Sequence, residues 1–429
     1  MSLANLQRNP ARINSVVPAA LLSEVAVFWL MWGMWLGLLG PVAPLMMLSG
    51  AAGLVALHPG RMVFLARLWP LLLIGVLAMV SAIWSAEPGV SGRFGLQLLL
   101  TIGVGAILVV TCPPERLLRG LFLACALVLV LSILSGRQGQ SLSGPVLIGL
   151  LGSKNEMGTL CFLLLGAAVS VGVSEAQPRA LRLLSAPIAA LAALYLVKAF
   201  STGAVLGAMI FFGTFVGLVI ASKLSSSAKF LLALTVVVLA APLWIVRDDL
   251  AEIWRHILFD VLHKDAGLTG RDYLWAHADA LIGAEPLLGH GYRSTWLGHG
   301  VDTIGLLRWA GLQSGEGFSF HNSYREWLVD FGFVGAGLIV LALGVGIIRT
   351  LIRASQQGVT AAQLFFASIG VVFAVRAYFE YVFGPFSSST ILVVVVAGFG
   401  YLGSTITSLI YASFTFILFA LEAAIMAYA

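Results

Sequence analysis

The sequence predicts an all-α membrane protein with about twelve transmembrane helices. Of the 429 residues, 60% are hydrophobic and 10% are charged, whereas about a quarter of the residues in an average soluble domain are charged. Many apolar stretches reach the ~20 residues that a helix needs to cross the hydrocarbon core. They run continuously, without the alternation of apolar and polar residues that is typical of barrel strands. The fold class is therefore polytopic and α-helical.

The predicted spans follow closely on one another, apart from one long connector before the tenth. The first is expected to stay in the mature protein, because no small-residue cleavage site of a signal peptide follows it. The apolar stretch 405–428 has no charged connector before it, so a thirteenth span, a re-entrant segment and an interfacial helix are all open. The twelve spans are residues 18–36, 39–57, 67–84, 94–111, 118–135, 157–174, 183–198, 203–221, 230–246, 325–348, 361–382 and 388–404.

Basic residues sort to alternate loops, and this sorting predicts the topology. Loops rich in Lys and Arg stay in the cytoplasm, so the N-terminus is cytoplasmic and the opposite loops face the exterior or periplasm. We expect three regions: transmembrane helices over 1–246, a large outer loop with short helices over 247–324, and further transmembrane helices over 325–429. The basic pairs are Arg8 and Arg12, Arg61 and Arg67, Arg116 and Arg119, Arg179 and Arg182, Lys223 and Lys229, and Arg349 and Arg353.

Composition and motifs leave several functions without support. The net charge of +5 resides in the sorted loops, so it indicates topology rather than nucleic-acid binding. Cys112, Cys125 and Cys161 are odd in number and lack CxxC spacing, which argues against a disulfide framework or a zinc site. The sequence has no Walker A, HExxH or DxD motif, which leaves nucleotide hydrolysis, zinc proteolysis and metal-dependent sugar transfer unsupported. No metal or other cofactor is expected.

A first polar constellation opens the sixth span in LLGSKNEMGTL, residues 150–160. Ser153 and Glu156 have the spacing of a capping box, which places Lys154 and Asn155 in the first turn. A lysine there opposes the helix dipole, so its position indicates an external anion at the helix N-terminus. The alternative is a lysine that snorkels to the membrane interface.

A second constellation lies in the long connector, in GLTGRDYLWAHADALIGAEPLLGHGYRSTWLGHG, residues 267–300. Arg271 opens a predicted short helix, and Arg293 is expected to be exposed in the turn that follows it. We expect the two guanidinium groups to converge on one polyanion, since the planar fork of arginine suits phosphate oxygens. The alternative is internal pairing, because residues 247–320 contain ten Asp and Glu against six Lys and Arg.

A third constellation, HNSYREWLVDFGFVGAGL, opens the tenth span at residues 321–338. His321 can act as a base near neutral pH, and Asn322 and Tyr324 lie beside it. The alternative is an interfacial histidine bonded to a carbonyl, which is the commoner situation for a lone histidine.

Further polar residues reach the same face of the membrane against the positive-inside bias. Ser201 opens the eighth span, and Arg376 lies near the outer end of the eleventh. Together with the three constellations, these residues predict a basic cleft at lipid depth. Its expected cations are Arg93, Lys154, Lys198, Arg271, Arg293 and Arg325.

The chain resembles the O-antigen ligase and Wzy-type polysaccharide polymerase superfamily, especially its ExoQ-like exopolysaccharide polymerase branch. The resemblance covers most of the chain and rests on short motifs in a fixed order. These are WSAEPG with a following arginine before span four, GSKNEMG opening span six, STGA opening span eight, GRDYLW and EPLLGHGY in the long loop, and HNSYREWLVDFGFVG opening span ten.

The resemblance implies a GT-C-like, metal-independent membrane glycosyltransferase in the bacterial inner membrane, active at the periplasmic face. Such an enzyme moves an oligosaccharide from a polyprenyl diphosphate to an acceptor sugar. The resemblance also implies that Arg271, Arg293 and Lys154 bind the diphosphate and that His321, with Arg271, is catalytic. The residues expected to support the site are Asn322, Tyr324, Asn155, Arg93 and Ser201.

Polymerisation of lipid-linked repeat units into an exported polysaccharide is the predicted function. The expected partners are the polyprenyl-diphosphate-linked oligosaccharide, a glycan acceptor, the lipid bilayer, a flippase and a chain-length regulator, and no nucleic acid is expected. Ligation of a finished glycan to lipid A core or protein is the alternative function that ranks second. Secondary transport, the third, would need ionisable residues at mid-membrane and a broken helix pair, whereas the predicted spans are largely uncharged at their centres.

Overall fold

A computed structural model describes residues 19–141, 144–229, 231, 235 and 270–402 of the chain. Almost all of the predicted ninth span, the first part of the long connector and the apolar stretch 405–428 lie outside the described residues.

The described chain is helical apart from one short hairpin. Strands β1 (Gln138–Ser141) and β2 (Gly144–Leu147) pair antiparallel, and 3₁₀ segments at Gly37–Leu39, Pro59–Leu68 and Ser81–Ile83 connect the first helices. The helices are α1 (Ala19–Gly33), α2 (Val42–Leu57), α3 (Trp69–Val80), α4 (Pro88–Thr111), α5 (Pro114–Ser135), α6 (Lys154–Val173), α7 (Arg179–Lys198), α8 (Thr202–Lys223), α9 (Arg271–Ala284), α10 (Ser294–Leu297), α11 (Val301–Ala310), α12 (Ser323–Ala354), α13 (Ala361–Arg376) and α14 (Ser388–Leu402).

The predicted class, an all-helical polytopic membrane protein, is confirmed. Among the described residues, 7 helical stretches are long and apolar enough to cross a membrane, and α1, α2, α13 and α14 are shorter apolar helices. These stretches coincide with every predicted span except the ninth, most of which is not described. The total of twelve spans stays a prediction.

Helix α14 lies at the centre of the bundle, packed against α4, α12 and α13. Glycines bring its backbone close to α12: a Cβ added at Gly346 would lie 2.7 Å from Ala397 Cβ, and one at Gly400 would lie 1.9 Å from the Gly346 carbonyl oxygen. Thr350 Oγ1 also donates a hydrogen bond to the Val396 carbonyl at 2.7 Å. Small residues at helix contacts permit this approach where helices pack within lipid.

Helix α12 is broken near its start, and a segment of the long connector fills the break. Gly332 adopts φ 61° and ψ −170°, which interrupts the helical hydrogen bonds. The carbonyls of Val329 and Asp330 instead accept hydrogen bonds from the backbone N–H groups of His290 and Gly291, at 2.8 and 2.9 Å. Backbone groups at membrane depth must be satisfied internally, so the connector supplies the partners that the broken helix lacks.

Glycine is required on both sides of this docking. At Gly332 an added Cβ would lie 2.3 Å from the Leu287 carbonyl oxygen, and at Gly289, where φ is +67°, it would lie 2.5 Å from the Val329 carbonyl oxygen. A side chain would therefore separate the two segments. The glycines of EPLLGHGY and VDFGFVG thus serve the fold.

The WSAEPG motif, which leads into α4, contacts the same region. Trp84 Nε1 donates to the Leu288 carbonyl at 2.9 Å, and Glu87 Oε1 accepts the backbone N–H of His299 at 2.8 Å. The end of the bundle that carries these contacts and helices α9, α10 and α11 is called the loop end below. A small separate core supports it, formed by Leu274, Ala278, Leu281, Trp296, Leu306, Phe320 and Val329.

Candidate active site

The start of α12 is tied to the segment that follows α13. Asn322 caps α12, since its Oδ1 accepts the backbone N–H of Arg325 at 3.0 Å. The Ser323 hydroxyl donates to the Glu380 carbonyl and accepts the N–H of Val382, both at 2.9 Å. These bonds fix the position of Glu380 beside the residues that open α12.

Glu380 joins two of the residues predicted for the site. Its Oε1 lies 3.5 Å from Arg271 Nη2, and its Oε2 lies 3.7 Å from His321 Nδ1. The side chains of Glu380 and Arg271 are each 18% exposed, and that of His321 is 31% exposed. The predicted base and a predicted diphosphate cation therefore meet at one partly buried carboxylate.

The surroundings of Glu380 favour its ionised form. Burial by itself raises the pKa of Glu380, but the polar contact with His321 and the charges of Arg376 and Arg271 outweigh it. The pKa consequently lies below its ordinary value. A negative carboxylate at this place attracts both the guanidinium of Arg271 and a protonated imidazole.

His321 is held in an uncommon backbone conformation. Its φ is 52°, in the left-handed region that costs a non-glycine residue on the order of 1 kcal/mol. The hydroxyl of Ser319 accepts the backbone N–H of His321 at 3.2 Å. The rings of Phe318 and His321 are nearly perpendicular, with their centres 5.4 Å apart. Nδ1 is buried and lies beside Glu380, beyond hydrogen-bond distance, and Nε2 is the other ring nitrogen.

Arg293 is internal, and the expectation that its turn exposes it is wrong. Its side chain is 5% exposed, and Nη1 pairs with Glu326 Oε1 at 3.0 Å. Nη2 donates to the Gly315 carbonyl at 3.2 Å, and the guanidinium lies 5.6 Å from the centre of the Tyr381 ring. Arg293 is therefore paired internally, and its partner Glu326 belongs to α12 rather than to the acidic connector.

Lys154 begins α6, as the capping pattern predicts. The Ser153 hydroxyl accepts the N–H of Glu156 at 3.2 Å, while Glu156 Oε2 reaches one residue further than a capping box requires and accepts the N–H of Gly152 at 2.7 Å. The Ser201 hydroxyl donates to Asn155 Oδ1 at 3.1 Å. Since Ser201 is the N-cap of α8, the N-terminal ends of α6 and α8 lie side by side.

The three other expected cations each lie against a neighbouring side chain. Arg325 makes two hydrogen bonds to Asp279, at 2.8 and 3.0 Å, and the pair neutralises its charge. Arg93 and Lys198 lie over aromatic rings of their own helices, at 5.4 Å from the centres of Phe94 and Tyr195.

Tyr324 also has an internal contact, because its hydroxyl donates to the Ala374 carbonyl at 2.9 Å. Arg376, at the end of α13, is buried against α6, where Nη2 donates to Thr159 Oγ1 at 3.0 Å.

In the part of the chain that the structure describes, no group of three or more His, Cys, Asp and Glu side chains is placed to hold a metal ion.

Glu380 is the site residue that sequence reasoning missed. A signal was present: residues 377–404 contain a single charged residue, Glu380, at the outer end of the eleventh predicted span. An isolated carboxylate at a membrane boundary indicates function, but the sequence does not show that it reaches His321 and Arg271.

The described fold is that of an all-helical, multi-pass membrane protein, and the chain is similar in sequence to proteins of polysaccharide assembly. Residues 187–340 match the family Wzy_C, described as O-antigen ligase. The matched segment includes Arg271, Arg293 and His321, whereas Lys154 and Glu380 lie outside it.

A more specific relative is the exopolysaccharide production protein ExoQ of Rhizobium meliloti strain 1021. The chain is 26% identical to it over 327 residues, which are 75% of this chain and 74% of ExoQ. The resemblance to the O-antigen ligase superfamily and to its ExoQ-like branch, inferred above from the motifs, is thereby confirmed.

Proposed function

We propose that the protein polymerises polyprenyl-diphosphate-linked oligosaccharide repeat units into an exported polysaccharide. The observation that carries the proposal is the meeting of His321 and Arg271 at Glu380. A candidate base and a candidate anion-binding cation lie there at the end of a membrane helix, where a lipid-anchored donor would present its diphosphate. The similarity to a protein named for exopolysaccharide production supports the choice of substrate class.

In the proposed reaction, an acceptor sugar hydroxyl attacks the anomeric carbon of the donor. The new carbon–oxygen bond forms as the bond to the diphosphate oxygen breaks, and the hydroxyl proton passes to Nε2 of His321. General base catalysis of this kind contributes typically ~10²- to 10⁴-fold in rate. Glu380 orients the imidazole through Nδ1 and stabilises the imidazolium that forms.

Negative charge grows on the leaving diphosphate, and cations placed in advance stabilise it. Arg271 is proposed to bind this diphosphate, assisted by Lys154 at the N-terminus of α6. No step of the proposed mechanism uses a metal ion or another cofactor. Because Arg293 is paired with Glu326, its proposed part is to hold the site together, and contact with the diphosphate would require that pair to open.

The supporting residues act through position. Asn322 fixes the start of α12 next to His321, Tyr324 ties α12 to α13, and the Asn155–Ser201 hydrogen bond aligns α6 with α8. Arg93 lies in α4 at the loop end and is proposed to favour the approach of an anionic donor.

The proposed setting is the bacterial inner membrane, with twelve spans, a cytoplasmic N-terminus and the loop end in the periplasm. The periplasm lacks ATP, so the donor must arrive there already activated by its link to the lipid diphosphate. A flippase that delivers it and a regulator of chain length are the proposed protein partners.

Ligation of a finished glycan to lipid A core or protein is the second candidate, favoured by the description of the matched family. The lipid-linked glycans of a deletion strain discriminate the two. Single repeats on the carrier indicate a lost polymerase, and full-length chains on the carrier indicate a lost ligase.

Secondary transport has one feature in its favour, the break in α12 beside the buried acids Glu326 and Asp330. The break is filled by backbone of the connector, and Arg293 bonds to both acids, so neither feature is open to a solute. Purified protein with lipid-linked repeat units should form polymer. Ion-driven solute movement in liposomes without glycosyl transfer would exclude the enzyme proposal.

A further inference from the structure

Arg376 is a buried cation whose hydrogen-bonding groups are largely unused. Arg376 is 5% exposed. Its Nη2 donates to Thr159 Oγ1 at 3.0 Å, and the guanidinium lies 5.2 Å from the centre of the Phe162 ring. Nε and Nη1 are buried and have no hydrogen-bond partner among the described residues. Arginine has five N–H donors, so most of its capacity is open.

The carboxylate near Arg376 does not satisfy it. Arg376 and Glu380 interact electrostatically, but no contact ion pair forms between them, and Glu380 already lies beside Arg271 and His321. Burying a cation without full pairing destabilises a fold. A buried arginine in this condition indicates a ligand that supplies the missing acceptors.

Arg376 lies beneath the N-terminal ends of α6 and α8. Thr159, its hydrogen-bond partner, in turn donates to the Asn155 carbonyl at 2.8 Å. On the α8 side, a Cβ added at Gly207 would lie 3.7 Å from Arg376 Cδ, and one at Gly203 would lie 3.6 Å from the Phe379 ring. Gly207 of α8 thus lies against the aliphatic part of the Arg376 side chain.

The N-terminal end of α6 adds to the attraction for an anion. The first N–H groups of a helix have no partners within the helix, and the helix dipole is positive there. At α6 the side chain of Ser153 accepts the N–H of Glu156, and its carbonyl accepts that of Met157. The unpaired Nε and Nη1 of Arg376 and the adjacent helix end are independent features that select the same ligand chemistry, an anion with several oxygen acceptors.

We propose that Arg376, with the N-terminal turn of α6, binds the lipid-side phosphoryl group of the donor diphosphate. This inference rests on the proposed function and extends it. Arg376 belongs to a bundle helix, whereas Arg271 belongs to the loop helix α9. Because the polyprenyl chain lies in the membrane and the sugar outside it, the lipid-side phosphoryl group meets Arg376 and the sugar-side group meets Arg271.

The test uses the full-length protein in detergent with farnesyl diphosphate as the probe and farnesol, which lacks the phosphates, as its control ligand. Thermal unfolding and binding affinity are measured for wild type, Arg376→Met, Arg376→Lys and Arg308→Met. Arg308 is an exposed arginine of α11 and serves as the matched control.

We expect the ligand-free Arg376→Met variant to unfold at or above the wild-type temperature, because it removes an incompletely paired buried charge. Its affinity for farnesyl diphosphate should fall by about tenfold or more, as expected when a charge-assisted hydrogen bond is lost. Arg376→Lys should retain part of the affinity, and Arg308→Met should retain all of it. Farnesol binding should not differ among the variants.

A structural role for Arg376 would give the opposite result. Unfolding of Arg376→Met well below wild type, wild-type affinity in that variant, or equal binding of farnesol and farnesyl diphosphate by the wild type would each overturn the inference. The assay does not depend on transfer. Arg376-dependent binding without glycosyl transfer would leave the inference standing while the proposed function failed.

Discussion

Arg271 and His321 approach opposite oxygens of one carboxylate: Arg271 Nη2 lies 3.5 Å from Glu380 Oε1, and His321 Nδ1 lies 3.7 Å from Glu380 Oε2. The two residues come from different elements, the first residue of α9 and the residue before the cap of α12. Their shared partner couples the proposed base to the proposed diphosphate site, and the following predictions separate the roles.

Replacing the proposed base should affect turnover more than binding. His321→Ala is expected to lower the transfer rate by roughly 10²- to 10⁴-fold, the range typical of a lost general base, with donor affinity nearly unchanged. Single-turnover rates and donor binding on the purified variant measure the two quantities. If affinity collapses in parallel with turnover, His321 is a diphosphate ligand and the base assignment is wrong.

Replacing the proposed diphosphate cation should affect both quantities. Arg271→Ala is expected to weaken donor binding and transfer together, because a charge-assisted hydrogen bond contributes about 1.5 to 3 kcal/mol. At Lys154 charge should matter more than shape, so Lys154→Arg should be better tolerated than Lys154→Met. Polymer yield at equal protein abundance is the readout, and normal polymer from Arg271→Ala would remove that residue from the site.

Glu380 should contribute stability that depends on pH. Its folded-state pKa is lowered, so the contribution is complete above the ordinary glutamate pKa, about 4.3, and is lost as pH falls through the lower folded value. Wild type should therefore lose more stability on acidification through this window than Glu380→Gln does. Thermal unfolding between neutral pH and pH ~3 tests this, and parallel curves for the two proteins would contradict it.

The break in α12 should tolerate no side chain. Gly332→Ala places a Cβ 2.3 Å from the Leu287 carbonyl oxygen at a φ of +61°, so it should destabilise the protein by more than the ~1 kcal/mol of the backbone conformation alone. Gly337→Ala is the matched control in the same helix, because nothing lies within 4 Å of its added Cβ. Equal unfolding temperatures for the two variants would show that the connector does not depend on this contact.

Arg293 should behave as a structural residue. Arg293→Met leaves Glu326 buried without its partner, and removal of one member of a buried pair costs about 3 to 5 kcal/mol. Low abundance and early unfolding are expected, with partial recovery when Glu326→Gln is added. A stable Arg293→Met protein that had lost only donor binding would instead restore Arg293 as a direct ligand.

The sequence by itself determined the membrane class, the positions of the described spans and the cap of α6. These depend on local properties, namely runs of apolar residues, the positive-inside bias and the spacing of Ser153 and Glu156. It also selected His321 and Arg271, because polar residues at membrane boundaries are few and each is expensive to place there.

Only the tertiary structure decided which of these residues meet. Glu380 reaches Arg271 and His321 across 109 and 59 positions of the chain, and no local pattern encodes that contact. The same holds for Arg293, whose burial follows from the acids of α12, and for the glycines that dock the connector into the broken helix. Pairing and burial depend on helix packing, which brings distant segments together and determines whether a charge faces a protein partner or a ligand.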